Sequence, residues 1–308
     1  MQSVLECLPQ GSRVAILRLR SLGDCVLTTP ALDILKRCRP DLRVAVVVEG
    51  RFRAIYEGNR DIDEILPPEP GALRRWHPRL CLNLHGGSRS AWMTALSGAQ
   101  FRAGFGHFRH QFIYNVRIPR AQEILGVDRK VHTAEHIASA MFYLGAPQCD
   151  IPRAKLAPVS EAGTPDTPSR TGHAVIHPFG ATPEKTWHAA GFLAVAEQLK
   201  RSGLEPCFIG GGADDFRPFA AFTSFRGAPL SQIKQLLRTA SLFVGNDSGP
   251  AHMAAAFGLP VVAIFGSSDP AIWGPWRTPS EVVTAPGGIA HMEVVRVLEA
   301  LSRLRVHA

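Results

Sequence analysis

Short runs of β-branched and aliphatic residues alternate with longer amphipathic stretches along almost the whole chain, and that alternation leaves few folds open. In the first half the strand candidates are Val14–Leu19, Val44–Val48 and Leu80–Leu84. In the second half they are Ala174–His177, Pro206–Ile209, Leu242–Val244, Pro260–Phe265 and Val282–Thr284. Many are apolar at nearly every position, which fits parallel strands covered on both faces. Helical periodicity lies between them, as over Thr29–Cys38, Ala189–Ser202 and Leu230–Thr239. Strand and helix in succession predict open α/β sheets built from βαβ units.

One stretch interrupts the pattern. Pro152–Gly172 is rich in Pro, Ser, Thr and Gly, with no sustained period of either kind, and reads as a crossing between domains. We expect a first domain over 1–155, a linker over 156–172 and a second domain over 173–308, with the last helix free to pack back on the first. A length of 308 residues, 45% of them hydrophobic, suffices for two cores of ordinary size. Open α/β sheets bind ligands beyond the carboxyl ends of their strands. Two facing sheets would therefore put their ligand loops into one cleft.

The formal net charge of +8 comes from an excess of arginine. Guanidinium pairs well with phosphate and carboxylate, so an anionic partner is one reading and general solubility the other. No nucleic-acid-binding motif accompanies the charge. The six cysteines are scattered without a C-x-x-C pair, and reduced thiols are expected. The opening MQSVLECLPQGSR lacks the basic start and apolar core of a signal peptide, and no segment has the apolar length to cross a bilayer. A cytoplasmic protein is expected, with peripheral membrane contact left open.

The strongest site signal is FVGNDSGPAHMAAAFGLPVVAIFG, ending at Gly266, which reads as strand, tight loop, helix and strand. Gly245 ends the first strand, Asp247 or Ser248 caps the helix, and Pro250 lies in its first turn, where a missing N–H costs little. The N–H groups opening such a helix form an anion site. Small residues at Ser248 and Gly249 admit a diphosphate, and His252 lies one turn after Ser248. A well-capped βαβ turn without a ligand is the competing reading. VIHPFGATPEKTW (175–187) follows another strand with a loop containing Gly180 and carrying Lys185, suited to a phosphate as a point charge. GGGADD (210–215) follows a third strand, where Asp214 or Asp215 can accept ribose hydroxyls or simply turn a loop. In VAILRLRSLGDCVLTTPAL, Gly23 ends the strand and Asp24 opens the helix. Asp24 is either a cap or a carboxylate able to take a proton from an acceptor hydroxyl.

These segments resemble the heptosyltransferases of glycosyltransferase family 9. The pieces that match are RLRSLGDCVLTTPAL (18–32), FRAGF (101–105), HTAEHIASAMFYLG (132–145), HPFGATPEKTW (177–187) and GNDSGPAHMAAAFGLPVVAIFG (245–266). The resemblance implies the GT-B fold, two facing Rossmann-like domains with a central cleft. It implies heptose transfer from an ADP-sugar to the lipopolysaccharide core, with inversion and with no cofactor or metal. By the same resemblance Asp24 matches the catalytic base and Lys185 a lysine on the donor phosphate. Asp247, Ser248, Gly249 and His252 match the loop and helix start that hold the nucleotide-sugar, and Asp215 falls near an acidic ribose contact. Arg51, Arg53, Arg60, Arg102 and Arg109 are candidates for holding acidic groups of a glycan or lipopolysaccharide-core acceptor.

Other motifs point elsewhere. His132-Thr133-Ala134-Glu135-His136 has the H-x-x-E-H spacing of zinc proteases, but the apolar run Ile137–Leu144 after it suggests ordinary packing. Asp61-Ile62-Asp63 resembles a metal-binding D-x-D, yet RDIDEIL reads as an edge strand with a solvated acidic face. Neither G-x-G-x-x-G after the first strand nor G-x-S-x-G occurs. Two further functions remain: a sugar-nucleotide epimerase or hydrolase of the same two-domain fold, and a non-catalytic nucleotide-sugar binding protein.

Overall fold

In a computed structural model, which describes residues 2–158 and 172–304, the chain forms two compact units over Met1–Ala157 and Pro158–Ala308. The first holds strands β1 (Arg13–Leu17), β2 (Arg43–Val47), β3 (Glu64–Leu66), β4 (Leu80–Asn83), β5 (Phe101–Phe105) and β6 (Val116–Ile118). Its helices are α1 (Leu22–Cys38), α2 (Pro70–Trp76), α3 (Ser88–Leu96), α4 (Ala121–Leu125) and α5 (Thr133–Leu144). The second holds β7 (His173–His177), β8 (Glu205–Gly210), β9 (Thr223–Arg226), β10 (Leu242–Asn246), β11 (Val261–Phe265) and β12 (Ser280–Thr284). Its helices are α6 (Ala189–Arg201), α7 (Leu230–Thr239), α8 (Gly249–Ala256), α9 (Pro270–Trp273) and α10 (Val294–Arg303).

Each unit is a six-stranded, wholly parallel sheet with the same winding. The orders are β3-β2-β1-β4-β5-β6 and β12-β11-β10-β7-β8-β9. This is the Rossmann-type order, with a switch point between β1 and β4 and its counterpart between β7 and β10. The central strands are apolar because both faces are covered: Val14 to Leu17, Val44 to Val47 and Leu242 to Val244 are all fully buried. Parallel pairing gathers the βα loops of each unit along one edge of its sheet, and Asp24, Lys185, Asp215, Asp247 and Ser248 lie on or beside those loops. Helix α10 packs on β11, β12 and α6, with Val297 and Ala300 in the core of the second unit.

Local details depart from the sequence reading. Strand β1 stops at Leu17, and Gly23, expected to end it, lies inside α1. That helix starts at Leu22, two residues before Asp24, and runs through Pro30. The proline has no N–H for the Val26 carbonyl, and the Thr29 hydroxyl donates to that carbonyl instead, at 2.8 Å. Asp24 is therefore not the cap: Ser21 occupies the N-cap and Asp24 is the third residue of the helix. Strand β10 extends two residues past Val244, to Asn246. The first residues of Pro152–Gly172 belong to the first unit. Ala154 and Leu156 are buried, the Lys155 N–H donates to Thr29 Oγ1 at 2.9 Å, and its ammonium rests on buried Asp33. Residues 159–171 of that stretch lie outside the described residues.

Candidate functional site

In the second unit one buried side chain organises the loop edge. Asn246, the last residue of β10, is fully buried. Its amide donates to the Pro178 carbonyl at 2.9 Å, and its Oδ1 accepts from the Trp187 N–H at 3.1 Å. Both ends of the 178–187 loop are thus tied to the strand that leads into Asp247. The Trp187 indole, also buried, donates to the Met292 carbonyl at 2.9 Å and anchors the loop from below. Gly180 is required by close approach: a Cβ there would lie 2.5 Å from the Lys185 carbonyl oxygen and 2.6 Å from Thr186 Oγ1. A Cβ at Gly266, after β11, would run into the Glu184 carbonyl. The turn Pro183–Lys185 is held between two glycines.

This scaffold brings Lys185 and Asp247 together, Nζ to Oδ2 at 3.3 Å, with the lysine side chain about one-third exposed. Ser248 is the N-cap of α8 in extended conformation, Gly249 is the first helical residue and Pro250 follows in the first turn. The Ser248 hydroxyl does not bond back to the helix. Its Oγ is buried without a hydrogen-bond partner among the described residues. A buried hydroxyl left unpaired is costly and calls for an explanation, and a ligand oxygen at the helix opening would satisfy it. His252 lies one turn further on and is buried. An ammonium, the amides opening a helix and a spare hydroxyl are groups that can hold a diphosphate.

The remaining acidic loop is less committed. Asp214 accepts from the Gly211 N–H at 2.6 Å and shapes the turn after β8. Asp215 stands exposed in a two-pronged pair with Arg217, whose guanidinium holds its carboxyl down at about 2. His177, ending β7, has a buried Nδ1 without a partner among the described residues, and burial holds its imidazole down at about 4. A cavity of about 350 Å³ lies beside the Pro183–Lys185 turn, lined by Glu184, Gly266, Ser267 and Gly287 to Ala290.

In the first unit the same strand position carries Asn83, fully buried at the end of β4. Its Oδ1 accepts from the His85 and Gly86 N–H groups, and its amide donates to the Tyr114 hydroxyl at 2.8 Å. Asp24 sits across the switch point from it. Asp24 Oδ1 is 3.3 Å from Nη1 of buried Arg18, and Oδ2 accepts from the Ser21 hydroxyl at 2.9 Å. The carboxylate is thus fixed on both oxygens and still partly open to solvent. His85 is lowered from its ordinary value, chiefly by burial and then by Arg18 and Arg20, with Asp24 opposing. Neither Arg18 nor His85 stood out in the sequence; Arg18 was legible only as a charge inside an otherwise apolar run.

Of the five acceptor candidates, three have partners within the first unit. Arg51 pairs with Glu49, and Arg53 pairs with Glu57 and reaches the Ile65 carbonyl. Arg102 donates to the carbonyls of Ile113 and Ala99, while Arg60 and Arg109 are exposed. The H-x-x-E-H segment serves packing and capping. His132 Nδ1 accepts from the Ala134 N–H, Glu135 is held by Arg129 at 2.7 Å, and His136 stacks on Phe105 at 4.1 Å. In the D-x-D segment, Asp63 accepts from Lys36 and from the Val44 N–H beside edge strand β3.

The model of glycosyltransferase family 9 (heptosyltransferase) matches residues 72–295. Lipopolysaccharide heptosyltransferase 3 of Escherichia coli strain K12 is 25% identical over 299 residues, covering 84% of this chain and 83% of its own. Among solved structures, a glycosyl transferase family 9 protein from Veillonella parvula superposes with a TM-score of 0.81 at 22% identity, over 96% of this chain and 97% of the other. The E. coli ADP-heptose lipopolysaccharide heptosyltransferase II superposes with a TM-score of 0.75 at 20% identity, over 95% and 98%.

Proposed function

The chain belongs to glycosyltransferase family 9, the heptosyltransferase family, with the two Rossmann-like units of the GT-B fold, and from that premise we propose how it works. It transfers a heptose, or a similar sugar, from an ADP-sugar to a lipopolysaccharide core or related glycan, with inversion and without a metal. The observation that carries this reading is a cluster in the second unit, where Lys185 pairs with Asp247 next to the N-cap of α8 and the Ser248 hydroxyl there is buried without a partner among the described residues.

The first unit supplies the base. Asp24 takes the proton from an acceptor hydroxyl, whose oxygen attacks the anomeric carbon as the bond to the diphosphate breaks. Negative charge grows on the departing ADP. The Lys185 ammonium and the α8 amides stabilise it, which is the task a metal performs in other enzymes. Asp247 and His252 hold the loop and helix start, and Asp215, freed from Arg217, accepts ribose hydroxyls. Arginines of the first unit attract the acidic acceptor. The enzyme works in the cytoplasm, in peripheral contact with the membrane that carries its acceptor.

The test is acceptor-dependent turnover of ADP-, UDP- and GDP-sugars, with and without EDTA, on the wild type and on Asp24→Ala. Turnover of the ADP-sugar that survives EDTA, and that Asp24→Ala abolishes with ADP binding intact, is expected. ADP release without acceptor would point to a hydrolase, and full turnover by the variant would remove Asp24 as the base.

A further inference from the structure

Between Glu69 and Glu123 the chain carries eight arginines and neither aspartate nor glutamate. Within that stretch the structure exposes a compact apolar face. Trp92 is 54% exposed and Leu96 56%, one turn apart on α3, and Phe112 is 65% exposed on the neighbouring turn Gln111–Ile113. Six large hydrophobic side chains stand exposed among the described residues, and three of them are these. They are contiguous: the His110 ring lies 6.4 Å from Trp92 and 6.0 Å from Phe112, and its Nε2 is 2.9 Å from the Ser88 hydroxyl. Ala91, Ile113 and Tyr114 form a buried base beneath them. The face is therefore a fixed feature of a packed unit.

Two arginines border it. Arg89, in the first turn of α3, is 59% exposed; it donates to the Pro68 carbonyl and lies 3.9 Å from Glu49. Arg109, one residue before His110, is exposed and has no ion-pair partner among the described residues. We propose that this face docks on an anionic phospholipid bilayer. Tryptophan and phenylalanine seat at the headgroup boundary, and guanidinium groups add attraction to anionic lipid. An aromatic face bordered by Arg89 and Arg109, with Glu49 beside Arg89, fits a continuous negative surface better than a protein partner, which would present charges of both signs. Helix α3 follows β4 and the 111–113 turn follows β5, so the face borders the sheet edge that carries Asp24. The inference rests on the acceptor reading above only for why the enzyme would need a membrane.

The test uses the full chain without donor or acceptor. Co-sedimentation with vesicles of phosphatidylglycerol and phosphatidylethanolamine is compared with vesicles of phosphatidylcholine alone. The wild type binds the anionic vesicles, loses affinity as salt rises, and ignores phosphatidylcholine. Trp92→Ser with Phe112→Ser binds at least about tenfold more weakly, the loss expected from two interfacial aromatics. Arg109→Ala loses about fivefold, with a shallower salt dependence. Equal binding to both lipids, or undiminished binding by the double variant, would overturn the proposal. So would a wild-type dimer that the double variant loses in light scattering, since the face would then be a subunit contact. ADP affinity of the double variant equal to the wild type shows that it is folded. It also keeps a failure here distinct from a failure of the donor site.

Discussion

Replacing Gly180 with alanine should weaken ADP binding although residue 180 offers no side chain to the ligand. The added Cβ would stand 2.5 Å from the Lys185 carbonyl oxygen and 2.6 Å from Thr186 Oγ1. A comfortable carbon–oxygen contact is about 3.3 Å, so the turn carrying Lys185 must retreat by roughly 0.8 Å. It cannot retreat freely, because the Trp187 N–H is tied to Asn246 and Gly266 sits against Glu184. The strain of overpacking is worth about 1–3 kcal/mol of stability. Losing one charge-assisted hydrogen bond to phosphate is worth roughly 1.5–3 kcal/mol, or about 10- to 150-fold in affinity. Isothermal titration with ADP should show Gly180→Ala weakened to the level of Lys185→Ala. The double variant should be little worse than either single one, since both remove the same contact. Gly50→Ala, where nothing lies within 4 Å of the new carbon, is the control. ADP bound by Gly180→Ala as tightly as by the wild type would refute the claim that this turn positions Lys185.

Asn246→Ala leaves the Trp187 N–H and the Pro178 carbonyl buried and unpaired, so urea unfolding of the second unit should lose roughly 2–4 kcal/mol; an unchanged midpoint would mean the loop is held elsewhere. Burial lowers His136 and His177 from 6.5 to about 4. The unfolded chain therefore takes up these protons first as the pH falls. Stability should be full above about pH 6.5 and decline toward pH 4, by up to roughly 3 kcal/mol per histidine. His136→Phe, which keeps a ring on Phe105, should flatten part of that slope in unfolding curves at pH 7 and 4.5; an unaltered slope would exclude His136 as a source. His252→Ala should weaken ADP binding, and equal affinity would remove the residue from the donor site.

How much was legible in advance follows burial. Strands covered on both faces, such as Val44 to Val47 and Val261 to Phe265, are apolar throughout and could be read within a residue or two. Strands β6 and β9 could not, because they are short edge strands with Arg117 and Thr223 in solvent. Strand β5 escaped for another reason: Gly104 interrupts its apolar run, since a Cβ there would strike the Tyr114 ring. Helix α1 was opened at Asp24, two residues late, because Gly23 was read as ending the strand; the bond by which Thr29 makes Pro30 tolerable inside the helix cannot be seen in sequence. At the loops of the second unit, residue type singled out Lys185, Asp247 and Ser248, and the structure sets Lys185 beside Asp247. Asn246 stayed hidden because its role is tertiary, with partners 59 and 68 residues away. Arg18 and His85 likewise gain meaning only when the βα loops of one sheet edge are gathered around Asp24.

The most direct check on the donor site is a crystal structure of the full chain with ADP. We expect the terminal phosphate within hydrogen-bonding distance of Lys185 Nζ, the Ser248 hydroxyl and the first N–H groups of α8. Phosphates seated elsewhere, with the Ser248 hydroxyl still unmatched and Lys185 still turned to Asp247, would contradict the account at its root.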